Sequence, residues 1–161
     1  MIRIGQGLDA HVFAEPGSAE SFALGGVLIP FDRGVIAHSD GDVLLHALMD
    51  AVLGALGLPD IGHHFPDSDP RYQDVDSKSL LREVVGLMRE NGYELINMDA
   101  TVLLEMPKMQ PHRSLIMATI AEILGCQVSQ VSVKATTVEK MGAIGRGEGL
   151  AAQVVVLLQS V

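Results

Sequence analysis

Asp9 and His11 stand two residues apart in a segment, 2–13, that is rich in Ile, Val and Phe. In a strand, positions two apart point to the same face, so a carboxylate and an imidazole can reach one ion together. Zinc accepts that mixture of oxygen and nitrogen. A third ligand must come from elsewhere in the chain. His46 is the best-placed candidate, with Asp50 one helical turn further on to orient its ring. Three protein ligands and one open position make a catalytic zinc site rather than a closed structural one. Plainer accounts exist for each residue. Carboxylate–histidine pairs are common on surfaces, and a histidine on an apolar helix is often a hydrogen-bonded core residue.

Other segments carry groups suited to phosphates and hydroxyls. His38-Ser39-Asp40-Gly41-Asp42 precedes a helical stretch, and a helix N-terminus offers unpaired amides to an anion. Capping by Ser39, Asp40 and Asp42 would explain all of that segment except His38. Asp60-Ile61-Gly62 and Phe65-Pro66-Asp67-Ser68-Asp69 form an acidic loop. It could hold a polyol by its carboxylates, or be an ordinary solvated loop. Lys108 follows one strand, and Lys134-Ala135-Thr136-Thr137-Val138-Glu139-Lys140 another. Threonine hydroxyls and amides at a strand end suit phosphate oxygens, and Glu139 could serve magnesium, which prefers oxygen ligands. The glycine-rich run 142–149 lacks both the dinucleotide fingerprint and the Gly-Lys-Ser/Thr ending of a triphosphate loop. Its plainer reading is a flexible turn with Arg146 and Glu148 as a surface ion pair.

The elements that must position these groups alternate between strand and helix. Strands are expected over 2–13, where Gly5 and Gly7 mark a close backbone approach, and over 22–30, with Gly25-Gly26 as a bulge or turn. A helix over 40–57 starts at a capping box of Ser39 and Asp42 and stops at Gly57. Residues 60–76 read as a loop, 77–91 as a second helix and 93–105 as a strand. Pro111 opens a third helix running to Leu124, and strands over 131–137 and 150–159 close the chain. This order predicts an α+β fold with a single mixed β-sheet and helices packed on one face, in one domain covering 1–161.

Bulk properties narrow the function. The net charge of −9 excludes non-specific nucleic-acid binding, which needs clustered Lys and Arg. A small phosphorylated substrate stays compatible, because local cations override the global sign. With one cysteine, Cys126, no intrachain disulfide can form, and a small core filler is its simplest role. No run reaches the ~18–20 apolar residues of a membrane span, and the start of the chain lacks a signal-peptide run, so a soluble cytoplasmic protein is expected. Hydrophobic residues at 48% suit either a well-filled core or a buried interface in an oligomer.

Taken together, these motifs resemble the 2-C-methyl-D-erythritol 2,4-cyclodiphosphate synthase family. Gly5-Gln6-Gly7-Leu8-Asp9-Ala10-His11-Val12-Phe13 is similar to its opening signature. Ala37-His38-Ser39-Asp40-Gly41-Asp42-Val43 with His46-Ala47-Leu48, both parts of the acidic loop, Pro107-Lys108-Met109, Val133-Lys134-Ala135-Thr136-Thr137 and Gly145-Arg146-Gly147-Glu148-Gly149 follow in the family's order. The resemblance implies closure of 4-diphosphocytidyl-2-C-methyl-D-erythritol 2-phosphate to the cyclic diphosphate with release of CMP, a step of non-mevalonate isoprenoid biosynthesis. It implies zinc on Asp9, His11 and His46, and magnesium or manganese on Glu139 bridging the α- and β-phosphates. His38 and Thr137 would steady the transition state. Ser39, Asp60, Ile61, Gly62 and the run Phe65, Pro66, Asp67, Ser68, Asp69 would hold the methylerythritol part. Leu104, Glu105, Met106, Pro107, Lys108, Met109 and Gln110, with Thr136 and Val138, would hold the cytidine diphosphate part.

The resemblance also implies a homotrimer with active sites between neighbours. In the family a pocket at the trimer centre can hold an isoprenoid diphosphate. Arg146 is present to meet its phosphates, but Ala143 stands where many members carry phenylalanine, which weakens that expectation. Two rivals remain on the residues alone. One is a zinc phosphohydrolase, which needs a metal-bound water. The other is a binding module whose Asp and His residues only cap and pack.

Overall fold

A computed structural model describes residues 1–66 and 68–161. Among the described residues, seven strands and five α-helices follow one another as β1 (Ile2–Phe13), β2 (Ser21–Leu24), β3 (Val27–Pro30), β4 (Val35–Ile36), α1 (Val43–Leu56), α2 (Ile61–His64), α3 (Ser77–Glu90), β5 (Tyr93–Leu103), α4 (Arg113–Leu124), β6 (Val131–Thr136), α5 (Gly142–Gly145) and β7 (Gly149–Ser160). The main sheet has the order β4-β1-β7-β5-β6, and β2-β3 form a separate hairpin. Only β5 and β6 run parallel, so the sheet is mixed as expected.

Several boundaries differ from the sequence reading. The strand expected over 22–30 is two strands, because Gly25 and Gly26 both take positive φ (62° and 78°), the conformation of a two-residue hairpin turn. The sheet is therefore not the only one. The segment 60–76 carries the short helix α2 and a 3₁₀ turn, Pro70–Tyr72, capped by Asp60 and Asp69. The capping box of Ser39 and Asp42 does not form. Asp42 itself caps α1, its Oδ1 accepting from the amide of Leu45 at 3.0 Å. The same buried carboxylate accepts from the amides of Gly25 and Gly26 at 2.8 and 2.7 Å, fastening the hairpin turn to the helix. Burial holds this carboxyl above its usual range, against the pull of those three bonds.

The helices lie on one face of the sheet. Odd positions of β1 face them: Gly5, Gly7 and Phe13 are buried, while Ile4, Leu8 and Val12 on the opposite face are 71, 63 and 58% exposed. Helix α1 sits against β1 and β7, with Leu44, Leu45, Leu48, Val52 and Leu53 fully buried. Helix α3 is amphipathic, with Leu80, Leu81, Val84, Val85 and Met88 on its buried side.

The contact between β1 and α1 is made backbone to backbone. A Cβ on Gly7 would lie 1.9 Å from the carbonyl oxygen of Ala47, and one on Gly5 1.8 Å from that of Ala51. Neither oxygen can step aside, because both belong to the helix. Gly86, in the middle of α3, has nothing within 4 Å of such an atom. Gly7→Ala is thus expected to lose at least ~1–3 kcal/mol by overpacking, whereas Gly86→Ala should gain ~0.5–1 kcal/mol through helix propensity. Urea denaturation midpoints of the two variants test this, and destabilisations of equal size would contradict the contact.

Candidate metal centre

Asp9 and His11 leave β1 on the face covered by α1, and His46 comes down from the first turns of that helix. Asp9 Oδ2 lies 3.0 Å from His11 Nε2 and 3.0 Å from His46 Nδ1, and the two nitrogens are 3.2 Å apart. Asp9 Oδ1 turns away to accept from the amide of Ala10 at 2.8 Å. A tetrahedral ion with bonds of about 2.0–2.2 Å spreads its ligand atoms about 3.3–3.6 Å apart. The three atoms are already close to that spacing, and they form the one cluster of three metal-ligating side chains found among the described residues. The donor set and its geometry fit a metal ion.

The electrostatics match. Burial alone would raise the Asp9 carboxyl, but hydrogen bonds with His11 and His46 outweigh it and hold the group well below the usual carboxylate range. Burial likewise disfavours a charged His46, yet its bond to Asp9 and the nearby Asp42 and Asp40 carboxylates push the imidazole up. The cluster attracts positive charge, whether a proton or a cation.

The cluster opens into a cavity of about 350 Å³ that also takes in His38, Ser39, Ile61, Gly62 and Phe65. Tyr72 and Leu80 complete its apolar wall, Tyr72 meeting Phe65 edge to face at 5.3 Å. Neither was singled out in the sequence, where only their polar neighbours carry a chemical signal. The rest of the acidic loop is nearby. Asp60 caps α2 by accepting from His63, Pro66 is half-buried, Ser68 is exposed, and Asp69 is held by Arg71 at 2.6 Å. Asp67 lies outside the described residues.

Asp50 does not orient His46. Its Oδ1 accepts from the amide of Ile61 at 2.9 Å, tying the start of α2 to α1. The second ring nitrogen of His46 instead meets Ser77 Oγ at 3.0 Å and Ser39 Oγ at 3.2 Å. Ser77 opens α3 and carries no sign of this contact in the sequence.

The remaining candidates gather at the other edge of the sheet. Asp9 pairs with Ala152, Ala152 with Val102, and Val102 with Ala135. Three strand spacings of ~4.8 Å put β6 about 14 Å from the metal cluster. There Thr136, Thr137 and Glu139 are exposed, and Thr137 Oγ1 donates to Glu139 Oε1 at 3.0 Å. Glu105 holds this turn by accepting from the amides of Val138 and Lys140 at 2.9 and 3.4 Å. Met106, Lys108 and Gln110 are exposed and Pro107 is half-buried, while Leu104 and Met109 are buried at 5 and 4% exposure and offer only backbone groups. Arg146 forms the surface pair with Glu148, at 2.5 Å, next to the one-turn helix α5.

The chain matches the model of the YgbB family over residues 2–159. It is 55% identical over 159 residues to the 2-C-methyl-D-erythritol 2,4-cyclodiphosphate synthase of Geobacillus thermodenitrificans, covering 99% of this chain and 98% of that one. Among solved structures, the bifunctional IspDF of Campylobacter jejuni superposes with a TM-score of 0.94 at 42% identity, over all of this chain and 43% of that one. A CDP complex of IspF from Plasmodium falciparum superposes with a TM-score of 0.86 at 36% identity, covering 99% and 96% of the two chains.

Asp50 supplies a test of the site's charge balance. Burial raises its carboxyl, and the nearby Asp60 and Asp9 add to the shift. A carboxyl raised on folding lends stability below its unfolded value of ~3.9 and loses it as pH rises through the folded value. Asp50→Asn removes the charge and keeps an oxygen for the Ile61 amide. A small gain in the melting temperature of the metal-free protein is expected at pH 7, shrinking towards pH 4. A gain of the same size at both pH values would rule out the charge as its cause.

Proposed function

This chain belongs to the YgbB family, and we propose that it closes 4-diphosphocytidyl-2-C-methyl-D-erythritol 2-phosphate into 2-C-methyl-D-erythritol 2,4-cyclodiphosphate. The observation that carries this reading is the Asp9, His11 and His46 cluster at the mouth of a cavity, in a chain 55% identical over nearly its whole length to such a synthase. In the reaction an oxygen of the substrate's 2-phosphate bonds to the β-phosphorus. The bond from that phosphorus to the bridging oxygen breaks, and CMP leaves with the electron pair. No protein nucleophile takes part. The residues have to fold the substrate on itself and offset repulsion between two phosphates.

Asp9, His11 and His46 would hold zinc, and Glu139 would hold magnesium or manganese. The chemistry these ions supply is charge neutralisation on the diphosphate. His38 and Ser39, beside the metal cluster, would meet the reacting phosphate and the adjoining hydroxyls. Ile61, Gly62 and Phe65 would enclose the methylerythritol carbons, with Asp60, Pro66, Asp67, Ser68 and Asp69 at the rim. Thr137 would join His38 in steadying the transition state, and Thr136, Val138 and the 104–110 segment would hold the cytidine diphosphate. The solved structure of the Plasmodium falciparum relative with CDP supports a ligand of this class.

Within one copy the two sets of residues stand apart, which supports a homotrimer in which β6 of one copy completes the cavity of its neighbour. The uncovered apolar face of the sheet supports the same assembly, since Ile4, Leu8 and Val12 are more than half exposed in a single chain. Arg146 would face the trimer centre. Its pairing with Glu148 and the small Ala143 beside it favour a centre that takes an isoprenoid diphosphate poorly.

Incubation of the purified protein with the cytidine-linked substrate should release CMP together with the cyclic product. No oxygen from labelled water should enter either one. Inorganic phosphate, or labelled product, would point instead to a phosphohydrolase. Glu139→Gln should retain zinc yet need much more magnesium for the same rate, because an amide is a poorer ligand for a hard cation. Superimposable magnesium curves for the two proteins would remove Glu139 from the second metal. Light scattering should give the mass of a trimer, and an active monomer would defeat the shared cavity.

A further inference from the structure

His46 is the one member of the metal cluster that comes from a helix, and its far ring nitrogen is held by side chains from two other parts of the fold. Ser77 Oγ donates to Asp40 Oδ1 at 2.5 Å. A serine hydroxyl has a single proton to give. At its 3.0 Å contact with His46 Nε2 the same oxygen must therefore accept. A proton therefore stays on Nε2, and the proton that Nδ1 shares with Asp9 Oδ2 at 3.0 Å is the one a cation would displace, freeing the Nδ1 lone pair beside Asp9 and His11.

Ser39 cannot impose this choice. Its oxygen also lies 3.2 Å from Nε2, but its hydroxyl proton is not committed to a carboxylate, and it lines the cavity where substrate would compete for it. Ser77 and His46 are both buried, so no bulk water replaces the bond. Asp40 is itself fixed. Its Oδ2 accepts from the amide of Ser77 at 2.9 Å, and its Oδ1 also accepts from the amide of Asp42 at 3.1 Å.

We infer that Asp40 and Ser77 are positioning residues for the metal site: as a carboxylate–serine relay from the start of α3, they fix the tautomer and the ring orientation of His46, so that Nδ1 arrives as a ligand. Metal-binding histidines commonly donate their other N–H to a carboxylate or carbonyl, and here a buried serine stands between ring and carboxylate. The inference rests on the reading of Asp9, His11 and His46 as a metal centre.

The test compares the native chain with Ser77→Ala and Ser77→Thr. Ser77→Ala deletes only the hydroxyl and leaves the backbone amide that Asp40 holds. Zinc affinity, read by competition with a coloured chelator, should fall ~10–100-fold in Ser77→Ala and return to within a few-fold of native in Ser77→Thr. The visible bands of the cobalt-loaded protein should change in Ser77→Ala only. A second measurement does not depend on how well threonine fits: in the zinc-loaded native protein, nitrogen–proton correlation should find His46 protonated at Nε2, with a slowly exchanging proton. Equal zinc affinity in native and Ser77→Ala proteins, or a proton on Nδ1 with zinc bound, would overturn the relay and leave the metal centre standing. A native chain that binds no zinc would overturn both.

Discussion

The site depends on the absence of two side chains. Gly5 and Gly7 let α1 rest its backbone directly on β1, with Ala51 and Ala47 as the matching positions on the helix. Two residues back along the strand correspond to four along the helix, because ~6.6 Å of strand and ~6 Å of helix cover the same distance. The register therefore continues from Gly5 with Ala51, through Gly7 with Ala47, to Asp9 opposite the first turn of α1. His46 sits in that turn, one residue before Ala47 and so ~100° around the helix axis from it, which is where a ligand can reach the strand from the side. With a side chain at either glycine, the helix would stand off and the three ligand atoms could not all come within 3.0–3.2 Å of one another.

The order of the sheet then decides how much chemistry one copy can do. Because β7 and β5 lie between β1 and β6, the metal cluster and the threonine edge share a sheet but not a cavity. That division follows from topology rather than from any flexible part, since β1, β7 and β5 are paired along nearly their whole lengths. An uncovered apolar face on the same sheet is costly for an isolated chain, and a large exposed patch of this kind marks an interaction surface. Both features are ones that the proposed homotrimer would use, with sheets from its copies packed around a common axis. In that proposal the polar edge of one copy would meet the cavity of the next.

Much of the fold was legible in the sequence, for reasons that can be stated residue by residue. Strand β1 was read with its full extent, and its two glycines as a close backbone approach, because alternation and missing side chains are local signals. The Asp9 and His11 pair was legible for the same reason. Contacts between distant segments were not. Asp50 follows His46 by one turn, so periodicity pointed to it, yet its oxygen is taken by Ile61 across a loop. Ser77, which does reach His46, is 31 residues away and looks like any residue at the start of a helix. The hairpin β2-β3 was read as one strand because two glycines fit a bulge as well as a turn. Their positive φ values decide it, and composition carries no trace of them. The roles given to Thr137 and Glu139 rest on their chemistry at a strand end and on the resemblance, and the geometry of one chain leaves them at the far edge.

The charge of the chain is the remaining puzzle, since a net −9 is an odd choice for binding a substrate with several phosphates. The arrangement around His46 resolves it. Asp9, Asp40, Asp42 and Asp50 all act electrostatically on His46, and the directions in which Asp9 and His46 are shifted mean that the cluster draws positive charge. A divalent cation placed there would concentrate positive charge at the ligand atoms, because the bound ion is the largest single charge in the site. The same four carboxylates also have structural partners: Asp9, Asp40 and Asp42 accept from backbone amides, and Asp50 holds α2. Their charge is thus fixed in place by the fold and does not collapse onto the cation. An acidic frame of this kind makes anion binding conditional on the metal. With an ion bound, the attraction for a diphosphate would centre on the three ligand atoms, so charge would draw that part of the substrate towards them.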